Sequence, residues 1–97
     1  MYLLLSRYLK PLDEVDRFVV EHRAFLDEHY RSGELILSGP MEPREGGVIV
    51  ANSMPRTRLD AILAADPFVR EALCEYRVIE FRAARRHEAL AGLVALE

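Results

Sequence analysis

Two titratable side chains occupy helical positions where an apolar residue is expected. The inward phase of the first helical segment includes His22, and the inward phase of the second ends at Asp66. The apolar members of these two phases are Val15, Phe18, Val19 and Leu26, and Leu59, Ile62 and Leu63. A carboxylate beside an imidazole fixes its tautomer, and the imidazole can then accept and return a proton. The pair predicts general acid/base chemistry, provided that the two helices lie side by side.

Both residues also have a structural interpretation, which the sequence leaves open. A lone histidine on an apolar helix face is more often a core or boundary residue than a catalytic one. Asp66 precedes Pro67, and this dipeptide commonly begins a short helix with the aspartate as N-cap. His29 is expected to lie nearer an exposed helix end. His22 and His29 are seven residues apart with no Cys or Glu pattern around the two, so no metal site is predicted.

The elements that must position the pair follow the order β-α-β-β-α-β. The predicted strands are residues 2–9, 35–38, 48–51 and 76–81, and the predicted helices are residues 13–31 and the segment from Pro55 to Asp66. The loop PMEPREGG predicts a hairpin between the second and third strands. The order is the split βαβ pattern of a ferredoxin-like α+β fold, with an antiparallel four-stranded sheet and both helices on one face.

The strands are apolar on both sides of the sheet. Their central runs read LLL, LIL, VIV and VI, without the alternation of a sheet that has one face in water. Because the helices cover one face only, the other is expected to pack against a second copy of the chain. We expect a homodimer built from one domain of 97 residues, with a core over 1–82 and a C-terminal extension over 83–97 that is helical.

Composition and charge exclude several other classes of function. The net charge of −3 argues against nucleic acid as a partner, since phosphate binding needs a concentrated basic surface. No apolar run approaches the length of a membrane span, and the N-terminus lacks the features of a signal peptide. The single cysteine, Cys74, is expected to be a buried thiol in a cytoplasmic protein. No cofactor motif is present, and the expected partner is a small molecule.

Several segments together resemble the YciI family of YCII-related domain proteins. His22 lies eleven residues before Gly33, which begins GELILSGPM, and DPF and YRVIEF follow further along the chain. The resemblance implies the same ferredoxin-like fold and a dimer that resembles an α/β barrel. It also implies that His22 and Asp66 correspond to a paired His and Asp proposed as an acid/base site, with Ser38 near it.

The chain departs from that family at two places. An arginine-proline pair usually precedes the histidine, whereas this sequence has Val19-Val20-Glu21-His22, so Arg23 or Arg7 would have to bind an anionic ligand instead. The tail beyond Phe81 is also longer than in the shorter members. Most members have no assigned reaction, although some resemble small lyases or dehydrohalogenating enzymes that act on aromatic compounds.

Two kinds of function fit these residues best, and a purely structural interaction protein fits them least, because it leaves two inward titratable groups unexplained. In the first, His22 and Asp66 are the catalytic pair of an enzyme that performs elimination, isomerisation or hydrolysis on a small molecule without a metal ion. Ser38, Tyr8 and Arg7 would then contact the substrate, although Tyr8 also fits a strand residue at a dimer interface. In the second, the dimer binds a small molecule, or responds to it, without converting it. The sequence does not decide between them.

Overall fold

The computed structural model describes residues 1–97 and contains one four-stranded antiparallel sheet. Its strands are β1 (Tyr2–Tyr8), β2 (Leu35–Pro40), β3 (Gly47–Ala51) and β4 (Cys74–Glu80). The strand order is β2-β3-β1-β4, so the two sequence-distant strands β1 and β4 are hydrogen-bonded neighbours. This arrangement confirms the ferredoxin-like α+β fold and the hairpin between the second and third strands.

Four short helices connect the strands. They are α1 (Leu12–Asp16), α2 (Val19–Arg31), α3 (Arg56–Ala65) and α4 (Pro67–Arg70). The single helix predicted over residues 13–31 is therefore two helices, with a break at Arg17 and Phe18. The break lets the two pieces pack separately, because Val15 of α1 joins a cluster with α4 and β4 while α2 packs on the main core. None of the helices has the length and hydropathy needed to cross a membrane.

The main core lies between one face of the sheet and helices α2 and α3. It contains side chains from β1, β2 and β3 together with both helices: Tyr2, Leu4, Phe25, Leu26, Leu35, Ile49, Ala51, Leu59 and Ile62. Leu4 and Leu59 are fully buried. The inward-facing positions predicted for α3 are therefore confirmed. Asp66, which is also fully buried, lies at the end of this helix.

The opposite face of the sheet carries no helix. Leu3 pairs with Val50 and Ile79 across this face, and Leu5 pairs with Val48. These side chains are half-buried, and Leu37 on the edge strand is 59% exposed. We refer to this side of the sheet as the open face.

The C-terminal tail packs against part of the open face. Val94 is buried with Met1 and Ala83, and this small cluster contacts Ile36 and Val50. The tail therefore covers the open face at one corner and leaves the apolar residues of its centre uncovered.

The tail is not the α-helix expected from its composition. Its only helical element is a 3₁₀ turn, Glu88–Leu90. The Asn52 side chain donates to the Leu93 carbonyl at 2.8 Å, and Arg86 donates to the Val94 carbonyl at 2.9 Å. These hydrogen bonds and the burial of Val94 hold the segment in a non-helical path, so tertiary context overrides its helix propensity.

His29 of α2 and Arg58 of α3 are linked through Glu34, the residue that precedes β2. His29 is 7% exposed, so the expectation that it lies at an exposed helix end was wrong. Its Nδ1 is 3.0 Å from Glu34 Oε1, and Arg58 and Ser32 also donate to this carboxylate, at 2.7 to 3.0 Å. These donors lower the pKa of Glu34 from its ordinary 4.5 to about 2, and Arg58 makes the largest contribution.

We expect Glu34→Gln to remove part of the acid sensitivity of the fold. Because the folded-state pKa of Glu34 is depressed, its ionised form stabilises the protein above pH 4.5, and this contribution is lost as the pH falls toward 2. Urea midpoints should therefore be lower for the variant near neutral pH and converge with those of the wild type at low pH. Glu42→Gln, at an exposed loop residue without a hydrogen bond, is the matched control. A difference in urea midpoint between the wild type and Glu34→Gln that stays constant across this pH range would contradict the lowered pKa of Glu34.

Candidate active site

Asp66 lies at the junction of α3 and α4, where the backbone is extended because the next residue is proline. Its carboxylate accepts three hydrogen bonds. Oδ1 accepts from the Phe68 backbone N–H at 2.9 Å and lies 2.8 Å from His22 Nδ1, while Oδ2 accepts from the Tyr76 hydroxyl at 2.7 Å. Asp66 is therefore the N-cap of α4 and the partner of the histidine at the same time, so the two interpretations of this residue are compatible.

Tyr76 comes from the middle of β4 and points into the helix-covered side of the sheet. Burial, followed by the negative charge of Asp66, raises the pKa of Tyr76 well above its ordinary value. The phenol therefore stays protonated and acts as a permanent donor to the carboxylate. With this donor in place, every polar atom of the buried carboxylate has a partner.

His22 is held by two contacts of different kinds. Its Nδ1 faces Asp66, and its ring is stacked on Phe68 with centroids 3.9 Å apart and planes at 6°. The carboxylate favours a proton on Nδ1, which leaves Nε2 with a free lone pair. The side chain is 16% exposed, and the ring lines a cavity. The geometry presents one basic nitrogen to a bound molecule and keeps the other on the carboxylate.

The cavity beside His22 has a volume of about 540 Å³ and lies between α2 and the sheet. Its lining includes apolar side chains from α2, β3 and α4, namely Val19, Leu26, Ile49 and Phe68. This volume lies within the range of pockets that bind small molecules. Asp66 does not line the cavity, so it can influence a molecule in the cavity only through His22.

The structure brings two of the three predicted substrate-binding residues to this cavity. Ser38 lines it, and its hydroxyl is hydrogen-bonded to the Tyr30 hydroxyl. Tyr8 lines it from β1, with its ring edge-on to Phe68 at 6.2 Å, so Tyr8 faces the helices and not the open face. Arg7 does not line the cavity, because adjacent residues of a strand point to opposite faces of the sheet and Tyr8 points to the face that the helices cover. Arg7 is exposed and pairs with Glu75.

Two other predictions from the sequence concern the state of Cys74 and metal binding. Cys74 is buried, as predicted, and burial raises its pKa to about 12, so it stays a neutral thiol. No three His, Cys, Asp or Glu side chains lie close enough together to hold a metal ion.

Three residues of the site were missed by sequence reasoning. Tyr76 was interpreted only as a strand residue, although a hydroxyl at an inward strand position needs a buried partner. Phe68, which stacks on the histidine, was noted only within the segment DPF. Arg44 lines the cavity from the loop between β2 and β3, and nothing in that proline- and glycine-rich loop indicated where its side chain would point.

The fold is similar to that of a known enzyme. It matches the solved structure of the 5-chloro-2-hydroxyhydroquinone dehydrochlorinase TftG from Burkholderia phenoliruptrix, in complex with 2,5-dihydroxybenzoquinone, with a TM-score of 0.70. The match has 17% sequence identity and covers 84% of this chain and 94% of that one. At this identity the likeness shows the fold alone. No curated protein sequence matches the chain.

The family follows from the sequence match. The YCII-related domain matches residues 1–82, which include all four strands, α1 to α4, and the His22–Asp66 pair. The part outside the match is the tail that packs on the open face. The chain belongs to the family of YCII-related domain proteins.

Proposed function

We propose that the protein is an acid/base enzyme that acts on a small ring compound, with His22 as the catalytic base. The observation that carries the proposal is the contact of 2.8 Å between His22 Nδ1 and the fully buried Asp66, which leaves Nε2 free beside a cavity of about 540 Å³. A base held in this way is ready to remove a proton from a bound molecule.

Asp66 would stabilise the imidazolium that forms when Nε2 takes up a proton. Its charge is fixed in place by the donors Phe68 N–H and Tyr76 O–H, so the site needs no reorganisation during the reaction. The Ser38 and Tyr30 hydroxyls would hydrogen-bond to an oxygen on the ring. The histidine can return the same proton to a different atom of the substrate, which suits isomerisation and elimination.

The dehydrochlorinase with the similar fold supports elimination as the reaction to test first. Loss of HCl from a chlorinated hydroquinone needs one proton moved from a ring hydroxyl to the chlorine-bearing carbon and a second proton removed from another ring hydroxyl. Chloride leaves with its bonding electron pair, and the ring becomes a quinone without an external oxidant. A single imidazole that accepts and returns a proton can serve both transfers.

The test compares the wild type with His22→Asn under anaerobic conditions. The asparagine amide can still donate to Asp66, but it lacks the second ring nitrogen. With 5-chloro-2-hydroxyhydroquinone as the probe, we expect chloride release to fall by roughly 10²- to 10⁴-fold in the variant, since this is the typical contribution of a general base. Deuterium uptake from D₂O into the ring C–H positions of 2,5-dihydroxybenzoquinone provides a second readout that needs no leaving group.

The two readouts also separate the enzyme from the alternative of a non-catalytic binding module. Binding of either compound, with neither chloride release nor deuterium uptake above the level of His22→Asn, would refute the enzyme and favour the module. Circular dichroism and the melting temperature of the variant control for a loss of folding.

We also propose that the protein is a cytoplasmic homodimer that pairs through the open face. The centre of this face carries the apolar residues Leu3, Leu5, Val48 and Ile79, with Leu37 exposed at its edge. The family resemblance supports the same assembly, and the free thiol of Cys74 fits a reducing compartment. Sedimentation equilibrium measures the assembly, and a monomer at micromolar concentration would contradict it.

A further inference from the structure

Arg44 places a positive charge at the wall of the cavity, away from the His22–Asp66 pair. It belongs to the loop between β2 and β3, and its Nη2 lies 2.6 Å from Asp16 Oδ1 at the end of α1. Its guanidinium carbon is 5.5 Å from the centre of the Tyr8 ring. All three side chains line the same cavity as His22. The base and the guanidinium therefore face one shared space.

The loop that carries this guanidinium is fixed against β1. A Cβ on Gly46 would lie 1.8 Å from the Ser6 carbonyl oxygen, so only glycine permits this close approach. The Tyr8 backbone N–H donates to the Glu45 carbonyl at 2.9 Å, and the Gly47 N–H donates to the Ser6 hydroxyl at 2.7 Å. The positive charge is therefore positioned before a ligand arrives, which lowers the cost of binding one.

Stability alone explains this ion pair poorly. Arg44 is 35% exposed and Asp16 is 53% exposed, and pairs of this kind contribute about 0–1 kcal/mol. A guanidinium has five N–H donors, more than one carboxylate can occupy, so donors remain for a ligand. The other charged side chains of the lining are Arg23 and Asp27, and Arg23 forms no ion pair. Arg44 is thus the cation that the surrounding structure holds in place.

The aromatic side chains between the base and the guanidinium indicate the shape of the ligand. The His22 ring lies flat on Phe68, Phe68 and Tyr8 form a T-shaped pair, and Arg44 lies above the Tyr8 ring. We propose that Arg44 binds the acidic group of the substrate, and that the substrate is an aromatic acid with ring hydroxyls. This inference rests on the proposed function, which it deepens by naming the substrate class.

The test uses two probes that differ only in charge, 2,5-dihydroxybenzoate and 2,5-dihydroxybenzamide. Their dissociation constants are measured by NMR titration of the wild type, Arg44→Gln and Arg44→Lys. We expect the wild type to prefer the acid by roughly tenfold, as one charged hydrogen bond would provide. Arg44→Gln should lose this preference, because its affinity for the acid falls while its affinity for the amide stays the same. Arg44→Lys, which keeps the charge without the planar fork, should be intermediate.

Arg56→Gln is the matched control, because Arg56 also pairs with an aspartate, Asp60, but on the outer side of α3. It should keep the preference for the acid. A preference that survives in Arg44→Gln overturns the inference, and so does equal or absent binding of both probes to the wild type at millimolar concentration. Because these are binding measurements, a preference that depends on Arg44 in a protein without turnover would refute the proposed reaction and leave the anion site standing.

Discussion

Replacing Asp66 with alanine is expected to lower the free energy of unfolding by about 3–5 kcal/mol, the usual cost of breaking a buried charged pair by removing one partner. The carboxylate is fully buried and accepts from His22, Phe68 N–H and Tyr76. Alanine leaves all three donors without an acceptor, and each orphaned group costs about 1–3 kcal/mol. Urea denaturation followed by circular dichroism measures the loss.

Two further variants test the physical reason for this loss. Asp60→Ala changes the same residue type on α3, but Asp60 is 59% exposed and pairs only with Arg56, so its cost should stay below about 1 kcal/mol. Adding Tyr76→Phe to Asp66→Ala removes one orphaned hydroxyl and should recover part of the stability. A double variant that is less stable than Asp66→Ala would show that the Tyr76 hydroxyl is not left without a hydrogen-bond partner in Asp66→Ala.

Replacing Asp66 with asparagine should keep the fold but lower kcat of the proposed reaction by roughly 10²- to 10⁴-fold. The amide oxygen can accept from Phe68 N–H, and the amide nitrogen can donate to the Tyr76 oxygen. The negative charge that would stabilise the His22 imidazolium is gone. Since Asp66 does not line the cavity, KM should change little, and chloride release from 5-chloro-2-hydroxyhydroquinone measures both parameters.

The tautomer of His22 provides an independent readout of the same substitution. In the wild type, the ¹⁵N chemical shifts of the ring should place the proton on Nδ1, opposite the carboxylate. In Asp66→Asn this preference should weaken, because a neutral amide oxygen is a weaker acceptor for the Nδ1 proton than a carboxylate. An unchanged kcat together with an unchanged tautomer would remove the carboxylate from the mechanism.

Much of the fold was accessible from the sequence because its local patterns are strong. The four strands follow from short runs of branched and aromatic apolar residues, the inward positions of α3 follow from helical spacing, and Pro67 marks the start of α4. The break near Phe18 and the extended tail were not accessible. Both depend on which cluster a segment packs against, and local propensity does not contain that information.

The candidate site was accessible only in part, for a similar reason. His22 and Asp66 could be found because a titratable residue in an apolar phase is conspicuous. Tyr76 and Arg44 could not be placed, since one depends on the register of β1 and β4 and the other on the path of a loop. Arg7 does not reach the cavity, because a shift of one residue along a strand moves a side chain to the other face of the sheet.

The double role of Asp66 has a consequence for the comparison of relatives. Because the carboxylate caps α4 and accepts from Tyr76, selection for a stable fold would preserve it even in a protein that has lost its activity. The Nε2 atom of His22 has no partner within the chain, so the stability of the fold does not depend on a hydrogen bond at that atom. Under the proposed function, the histidine and not the aspartate distinguishes working enzymes from inactive descendants that keep the same shape.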